Sequence, residues 1–302
     1  MVHHKQCPLC GSQDISKNLY CTDHFISKEV FQIAKCMKCG FLFTQDIPDE
    51  KEIGTYYESD DYISHSDTVK GFSNKLYHLA RNLMLKRKIG IVRKFTGINS
   101  GNLLDIGSGT GHFAHAMAMD GWQVKGIEIN KKAHNYSKQK FGLEIIDPNE
   151  IFTLQSASFE CVTLWHVLEH FHDPFKYVNE IHRLLKPGGI CIIALPNSNS
   201  YDAASYKEFW AAFDVPRHLW HFSPETFKLF IHNTGLRLYR IITLPLDVFY
   251  ISTLSEKYKR SRFSFLTGIL KAIPFFLKSV YKKERSSSLI YILNKSIPGS
   301  GL

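Results

Sequence analysis

The stretch Asn102-Leu103-Leu104-Asp105-Ile106-Gly107-Ser108-Gly109-Thr110-Gly111 carries an apolar strand pattern into a glycine-rich turn. His112-Phe113-Ala114-His115-Ala116-Met117-Ala118-Met119 then reads as a helix. Strand, glycine turn and helix in that order present backbone amides to a ligand at the carboxyl edge of a parallel sheet. The next strand pattern, Gln123-Val124-Lys125-Gly126-Ile127-Glu128, ends on an acid suited to gripping both hydroxyls of a ribose. A dinucleotide fold offers similar parts, so the turn alone discriminates poorly. Two details weigh against a dinucleotide. His112 stands where that fingerprint needs its third glycine, and Asp105, two residues before the first glycine, would repel a pyrophosphate. An acid at that point suits the amino-acid portion of a ligand.

Two later stretches extend the pattern. Phe159-Glu160-Cys161-Val162-Thr163-Leu164-Trp165-His166-Val167-Leu168-Glu169-His170 is a buried strand running into a polar helix start. Leu184-Leu185-Lys186-Pro187-Gly188-Gly189 closes a helix and turns into a fifth strand, Ile190-Cys191-Ile192-Ile193-Ala194-Leu195-Pro196-Asn197. In order and spacing these motifs resemble the class I S-adenosylmethionine-dependent methyltransferases, over roughly residues 100–245 and again at 289–295. The resemblance implies an α/β fold, a doubly wound seven-stranded sheet whose last strand, near Ser288 to Leu293, is antiparallel. It implies that Asp105, Gly107, Gly109 and Gly111 hold the methionine part of the cofactor and Glu128 the ribose. Trp165 and His166 would line the methyl-donor pocket. Asp147, after Leu143-Glu144-Ile145-Ile146, is a candidate for the adenine edge and equally a helix N-terminal residue before Pro148.

The sulfonium of S-adenosylmethionine already activates its methyl group, so the protein must align the acceptor and, for a hydroxyl, deal with its proton. The candidate catalytic groups are histidines. His166 and His170, four apart on a helix start, are expected to share a face. His218 and His221 flank Trp220 in Asp214-Val215-Pro216-Arg217-His218-Leu219-Trp220-His221-Phe222-Ser223-Pro224-Glu225, beyond the fifth strand. This segment resembles a loop common in small-molecule members of the superfamily, although Ser223-Pro224 also starts a helix. His166, Glu169 and His170 resemble the metal triad of ubiquinone-biosynthesis O-methyltransferases, with His in place of the first Glu. That exchange moves preference away from magnesium. The same letters occur widely in the superfamily without metal, and a catalytic metal is not part of the expectation.

The front of the chain is organised by cysteines. Cys7-x-x-Cys10-Gly11 and Cys36-x-x-Cys39-Gly40 are two thiolate pairs, each followed by a glycine that permits the turn. Together they complete a tetrahedral sulfur shell suited to structural zinc, and short strand patterns between them give a zinc-ribbon-like segment over residues 1–44. Disulfides are the alternative, but no secretory pattern opens the chain, and the expected compartment is reducing and cytoplasmic. A closed four-sulfur site leaves no position for chemistry. Cys161 and Cys191 fall in apolar strand patterns and read as core. Residues 45–100 form a helical connector or lid. An aromatic and acidic tract, Tyr56 to Tyr62, precedes a helical pattern from Phe72 to Phe95. Leu76, Leu79, Ala80, Leu83 and Met84 share one face, with Arg81, Lys86, Arg87 and Lys88 mostly on the other.

The methyltransferase domain then covers residues 101–302, with an insertion at 245–288. Of the 302 residues, 44% are hydrophobic and 22% charged, which excludes a wholly disordered chain. The net charge is +9, from 37 Lys+Arg and 28 Asp+Glu. Nine Lys/Arg and one acid lie between Lys257 and Arg285, so nearly all of the excess sits in the insertion. There Phe265, Leu266, Ile269, Leu270, Ile273, Phe276, Leu277, Val280 and Tyr281 recur at helical spacing, with Lys271, Lys278 and Lys282 on the remaining surface and a kink expected at Pro274. This basic amphipathic element reads as a lid, a partner surface or a contact with an anionic membrane surface. Its continuous apolar face makes nucleic acid less favoured. The expected activity is methyl transfer to oxygen of a small-molecule acceptor (a sugar, a quinone-like compound or a lipid-linked intermediate). Transfer to RNA or protein, with the ribbon recognising the macromolecule, and a non-catalytic cofactor-binding module are the alternatives. The expected location is cytoplasmic, with peripheral contact at the inner face of a membrane.

Overall fold

Two sheets organise the chain, and one short strand decides how they relate. A computed structural model describes residues 1–57 and 72–296. The acidic part of the connector tract, residues 58–62, lies outside the described residues, as do the side chains of Leu76, Leu79 and Ala80.

The N-terminal segment forms β1 (Ile15–Thr22), β2 (Val30–Cys36) and β3 (Leu42–Thr44), an antiparallel meander. After the connector helix α1 (Phe72–Thr96) comes the alternation β4 (Asn102–Ile106), α2 (His112–Met119), β5 (Gln123–Ile127), α3 (Lys131–Phe141) and β6 (Glu144–Ile146). The chain continues through β7 (Phe159–Trp165), α4 (Pro174–Leu184), β8 (Leu185–Pro196) and α5 (Tyr201–Tyr206). It ends with β9 (Trp220–His221), α6 (Pro224–His232), β10 (Leu236–Thr243), α7 (Asp247–Tyr258), α8 (Ser264–Tyr281) and β11 (Ser288–Lys295).

The main sheet has seven strands in the order β10-β11-β8-β7-β4-β5-β6. Strands β4 to β8 pair in parallel, while β11 runs antiparallel to both β8 and β10. The central strands need no alternation because both faces are covered: every residue from Ile190 to Leu195 is buried, Cys191 among them, and Cys161 is buried on β7. Local chemistry sets the helix starts. The Asn130 side chain accepts from the Lys132 and Ala133 amides at the head of α3, and Ser223 with Pro224 opens α6.

The second sheet has the order β1-β2-β3-β9. Strand β9 belongs to the segment between β8 and β10, yet it pairs Trp220 with Phe43 and His221 with Leu42. One hydrophobic core runs from Leu9, Phe41 and Phe43 through Trp220 and Phe222 to Phe227 and Tyr291. The boundary expected at residue 44 therefore cuts through shared packing. The reason is physical: a three-strand meander of this size has an open edge, and β9 covers it.

Helix α1 closes one face of the main sheet, with Ile91 and Val92 in a core that also holds Leu103, Phe113, Met117, Trp122 and Ile192. The insertion is a helical hairpin. Gly268 of α8 lies directly on Thr253 of α7, where an added Cβ would come within 2.4 Å of the threonine Cα. Helix α8 runs through Pro274 without interruption. No helix among the described residues is long and apolar enough to cross a membrane.

Candidate active site at the carboxyl edge of the main sheet

The turn after β4 is built by backbone. Gly107 has φ +71, and an added Cβ would sit 2.3 Å from Val167, so only glycine lets the turn meet the segment after β7. At Gly109, φ is +54 and no atom lies within 4 Å of an added Cβ, which leaves open space beside the turn. Glu128 reaches that space from the end of β5: its carboxylate accepts from the Gly109 and Asn130 amides, each at 2.7 Å. Burial raises the Glu128 carboxyl, opposed by the Asn130 and Gly109 amides.

Asp105 is buried at the end of β4 and accepts from the Thr163 hydroxyl at 2.7 Å. Burial pushes its carboxyl up to about 7, against the pull of that hydroxyl and of the Lys88 ammonium. Sequence reasoning put Lys88 with the polar face of the connector helix. In the structure its Nζ lies 4.3 Å from the Trp165 ring centroid and 5.7 Å from that of Phe113. Burial draws the ammonium down to about 8, with Asp105 and Asp247 pulling the other way. The missed signal was the spacing Met84, Lys88, Ile91, Phe95, which sets the lysine in the apolar stripe of α1. Asp147 is exposed beyond β6, and its amide donates to Glu150 Oε1 at 2.9 Å at the head of a short 3-10 turn.

The four candidate histidines do not act as two pairs. His166 follows β7 in a left-handed conformation, φ +59, a strained backbone for a residue with a Cβ. Its Nε2 lies 3.0 Å from Asp247 Oδ2, at the start of α7, and its Nδ1 lies 3.6 Å from Glu169 Oε1. Burial works against its charge, but these two carboxylates outweigh it and raise the imidazole to about 9. With 32% of its side chain exposed, His166 still reaches open space. His170 turns away from His166, because residues 168–170 form a tight 3-10 turn in place of the expected helix start. Its Nδ1 is 2.9 Å from the Tyr57 hydroxyl, and its ring meets that of His218 edge-on at 4.5 Å. Burial and the His218 charge lower His170 to about 4.

His218 is nearly buried, and its Nδ1–H donates to the Ala212 carbonyl at 2.8 Å. That bond leaves Nε2 facing Glu169 Oε1 at 4.0 Å and Asp214 Oδ2 at 3.9 Å. Both Glu169 oxygens are buried without a hydrogen-bond partner among the described residues. Ligand atoms of Glu169, His170 and His218 lie within 4.8 Å of one another, a set that holds two residues of the expected triad, with His218 in place of His166. His166 is committed instead to Asp247.

His221 is a correction. It is buried on β9, and its Nε2 lies 3.0 Å from the Thr44 hydroxyl. The Thr44 hydroxyl itself donates to the His218 carbonyl at 2.8 Å, so His221 must donate to it. Burial and the neighbouring His218 hold the imidazole neutral, well below its usual range. The ring is buried and bonded to the neighbouring strand of its own sheet, which gives it a place in the scaffold. Beside it, Arg217 was passed over by sequence reasoning. Only 1% exposed, it pairs with Asp214 at 2.7 Å and Asp23 at 2.9 Å, and donates to the Tyr56 carbonyl at 3.0 Å. Ribbon, connector and acceptor loop are thereby tied at one guanidinium.

At the front of the chain, Cys7, Cys10, Cys36 and Cys39 converge, with Sγ–Sγ distances of 3.7 Å for Cys7–Cys39 and 3.6 Å for Cys10–Cys36. None of the four forms a disulfide.

Known proteins resemble this chain in sequence and in fold. A family model described as a methyltransferase domain matches residues 80–241. The chain belongs to that family, within the class I S-adenosylmethionine-dependent methyltransferases. The ubiquinone biosynthesis O-methyltransferase of Psychrobacter arcticus is 31% identical over 112 residues, 34% of this chain and 44% of that one. That of Thiobacillus denitrificans is 34% identical over 105 residues, 32% of this chain and 45% of that one. The chain thus spans less than half the length of these curated relatives. Among solved structures, Haemonchus contortus phosphoethanolamine N-methyltransferase 2 aligns with TM-score 0.54 at 16% identity, covering 85% of this chain and 62% of that one. Geranyl diphosphate C-methyltransferase from Streptomyces coelicolor A3(2) aligns with TM-score 0.51 at 14% identity, covering 76% and 88%. At such identities the likeness is one of fold, and it spans proteins named for different methylated atoms.

Proposed function

We propose that the protein transfers the methyl group of S-adenosylmethionine to an oxygen of a small-molecule acceptor, of sugar, quinone-like or lipid-linked class. The observation that carries this reading is a convergence at one sheet edge: a glycine turn, two carboxylates and an ammonium beside a histidine clamped between carboxylates. The methionine end of the cofactor carries an ammonium and a carboxylate. Asp105 would take the first and Lys88 the second, while Glu128 would take the ribose hydroxyls and Asp147 the adenine side. The curated relatives are named as O-methyltransferases, which favours oxygen over carbon or nitrogen.

The sulfonium supplies the activation, so no metal ion is required for the methyl group to leave. His166, raised to about 9, is an imidazolium at neutral pH and cannot serve as a general base there. Its charge instead favours an acceptor oxygen bound as its anion, with the proton released to solvent. When bound, the cofactor would supply an activated methyl group and a neutral thioether leaving group to an acceptor oxygen held in line with them. His170 and His218 form the neighbouring wall with Glu169. His221 acts through the scaffold.

Structural zinc on Cys7, Cys10, Cys36 and Cys39 completes the reading. Zinc–sulfur bonds of about 2.3 Å in a tetrahedron set sulfurs about 3.8 Å apart, and the observed 3.6 and 3.7 Å support that shell. The test is incubation of purified protein with methyl-labelled S-adenosylmethionine and fractionated cell extract. Label is expected in the small-molecule or lipid fraction; label confined to RNA or protein would replace this reading with a macromolecular acceptor. Bound zinc at one ion per chain, lost in Cys7→Ser/Cys36→Ser, would accompany it.

A further inference from the structure

We propose that the outer face of α8 is a docking surface for an anionic lipid bilayer. Helix α8 carries large apolar side chains on two sides. On the inner side Gly268 is seated on Thr253, Ala272 is fully buried, and Phe275 and Phe276 meet the rings of Tyr206 and Phe249. The outer side carries a second apolar row. Leu266, Leu270, Ile273, Leu277 and Val280 follow one another at helical spacing, and each is 42–58% exposed. Tyr281 ends the row at 89% exposure. A stripe of this kind in water needs an occupant, and none of the described residues covers it.

The charge around the stripe identifies that occupant. Lys257, Lys259, Arg260 and Arg262 lie exposed before the helix, and Lys278, Lys282 and Lys283 lie exposed at its far end. Eighteen residues of helix measure about 27 Å, so cations flank an apolar row at both ends. A helix lying in the plane of an anionic membrane needs that arrangement: apolar side chains in the headgroup boundary, and ammonium and guanidinium groups level with phosphates. A protein partner would supply acids to meet the cations, and a nucleic acid would leave the apolar row uncovered.

The hairpin that presents this face also supplies Asp247 to His166, which joins docking to the acceptor side of the site. That link rests on the proposed methyl transfer. The docking itself does not, since it follows from α8 alone.

The experiment is co-sedimentation of the full chain with vesicles of phosphatidylcholine and of an equimolar mixture with phosphatidylglycerol. Binding is expected to the mixture, to weaken with salt, and to be marginal on phosphatidylcholine. Leu270→Glu/Leu277→Glu should reduce it about tenfold or more. Lys282→Gln/Lys283→Gln should cost a factor of about five per charge removed. Unchanged melting temperature and cofactor affinity would show that each variant folds and that the methyl-donor site is intact. Three results would overturn the proposal: no binding of the full chain to the mixed vesicles, full binding by Leu270→Glu/Leu277→Glu, or a lipid-free dimer that this variant dissolves. Vesicle binding without methyl transfer would leave the docking standing and remove the proposed activity.

Discussion

The two sides of the site are assembled in opposite ways. The residues proposed to face the cofactor centre on one strand–helix–strand run, Asp105 to Glu128, joined by Lys88 and Asp147, and backbone amides do much of the work: both Glu128 oxygens rest on N–H groups at 2.7 Å. The residues proposed to face the acceptor come from four separate segments, with Tyr57, His166 to His170, Asp214 to His218, and Asp247. Almost every contact there is between side chains. A site made of backbone changes only if the fold changes, whereas one made of side chains on separate segments can be retuned piece by piece. That difference explains why one fold serves acceptors of different kinds while the cofactor edge stays recognisable.

The largest effect should come from removing what holds the four segments together. Arg217→Met strands Asp23 and Asp214 in the interior, and breaking a buried pair in this way costs about 3–5 kcal/mol. Denaturant unfolding should report a loss of that order, with the cofactor edge unaltered in the fraction that remains folded. A loss below about 1 kcal/mol, within the range of surface ion pairs, would mean that the acceptor side does not depend on the ribbon. The pH dependence carries a sign. Burial alone would raise the Asp23 carboxyl, but the Arg217 hydrogen bond and charge and the backbone amides lower it to about 2. Its contribution to stability is therefore present above its ordinary value near 3.8 and lost as pH falls toward 2. In Arg217→Met the folded carboxyl is no longer held down by the guanidinium, so less stability should be lost over that acid range.

Next come the cofactor contacts. Glu128→Ala removes a charged acceptor for two hydroxyls and should weaken S-adenosylmethionine by about a hundredfold, from hydrogen bonds to charge worth about 1.5–3 kcal/mol each. Lys88→Met keeps the stem that covers Trp165 and deletes one charge, so about tenfold is expected by the same scale. Calorimetry measures both, and unchanged affinity in either variant would remove that residue from the cofactor. Acceptor KM should stay level in Lys88→Met, which separates the two sides.

The same contrast governs how much could be read beforehand. Glycine turns, strand patterns and the acid after β5 are local, so the parallel part of the sheet was legible from Asn102 onward, and the antiparallel strand followed from the family resemblance those motifs carry. Side-chain partnerships across distant segments leave no local mark. Asp247 carries no motif, and nothing near it in sequence points to His166. His221 flanks Trp220 with His218 in the loop beyond the fifth strand, but the two-residue strand β9 gave it to Thr44. Lys88 was misplaced for a simpler reason: a charged residue in an apolar stripe was taken for surface, when its Nζ has an aromatic ring to sit on and carboxylates nearby. The ribbon's cysteines were legible, and its dependence on β9 was not.

The smallest effect tests the acceptor side most finely. Because His166 is raised to about 9 by Asp247 and Glu169, its positive charge should be present below that pH and lost above it. If the acceptor oxygen is bound against this charge, kcat/KM should fall as pH rises through about 9, with His166 as the group responsible. Asp247→Asn removes one of two carboxylates, and an opposite charge at this range is worth about one pKa unit or more. The alkaline limb should then move toward neutral by that amount, while activity near pH 6 changes little, since the imidazole is still protonated there. NMR titration of the His166 ring in the cofactor-bound protein follows the same group without turnover. A limb that stays in place while the ring titration moves would take the imidazolium out of the reaction. If neither moves, the Asp247 contact itself is refuted. Only the two shifting together leave His166 as the charge that receives the acceptor.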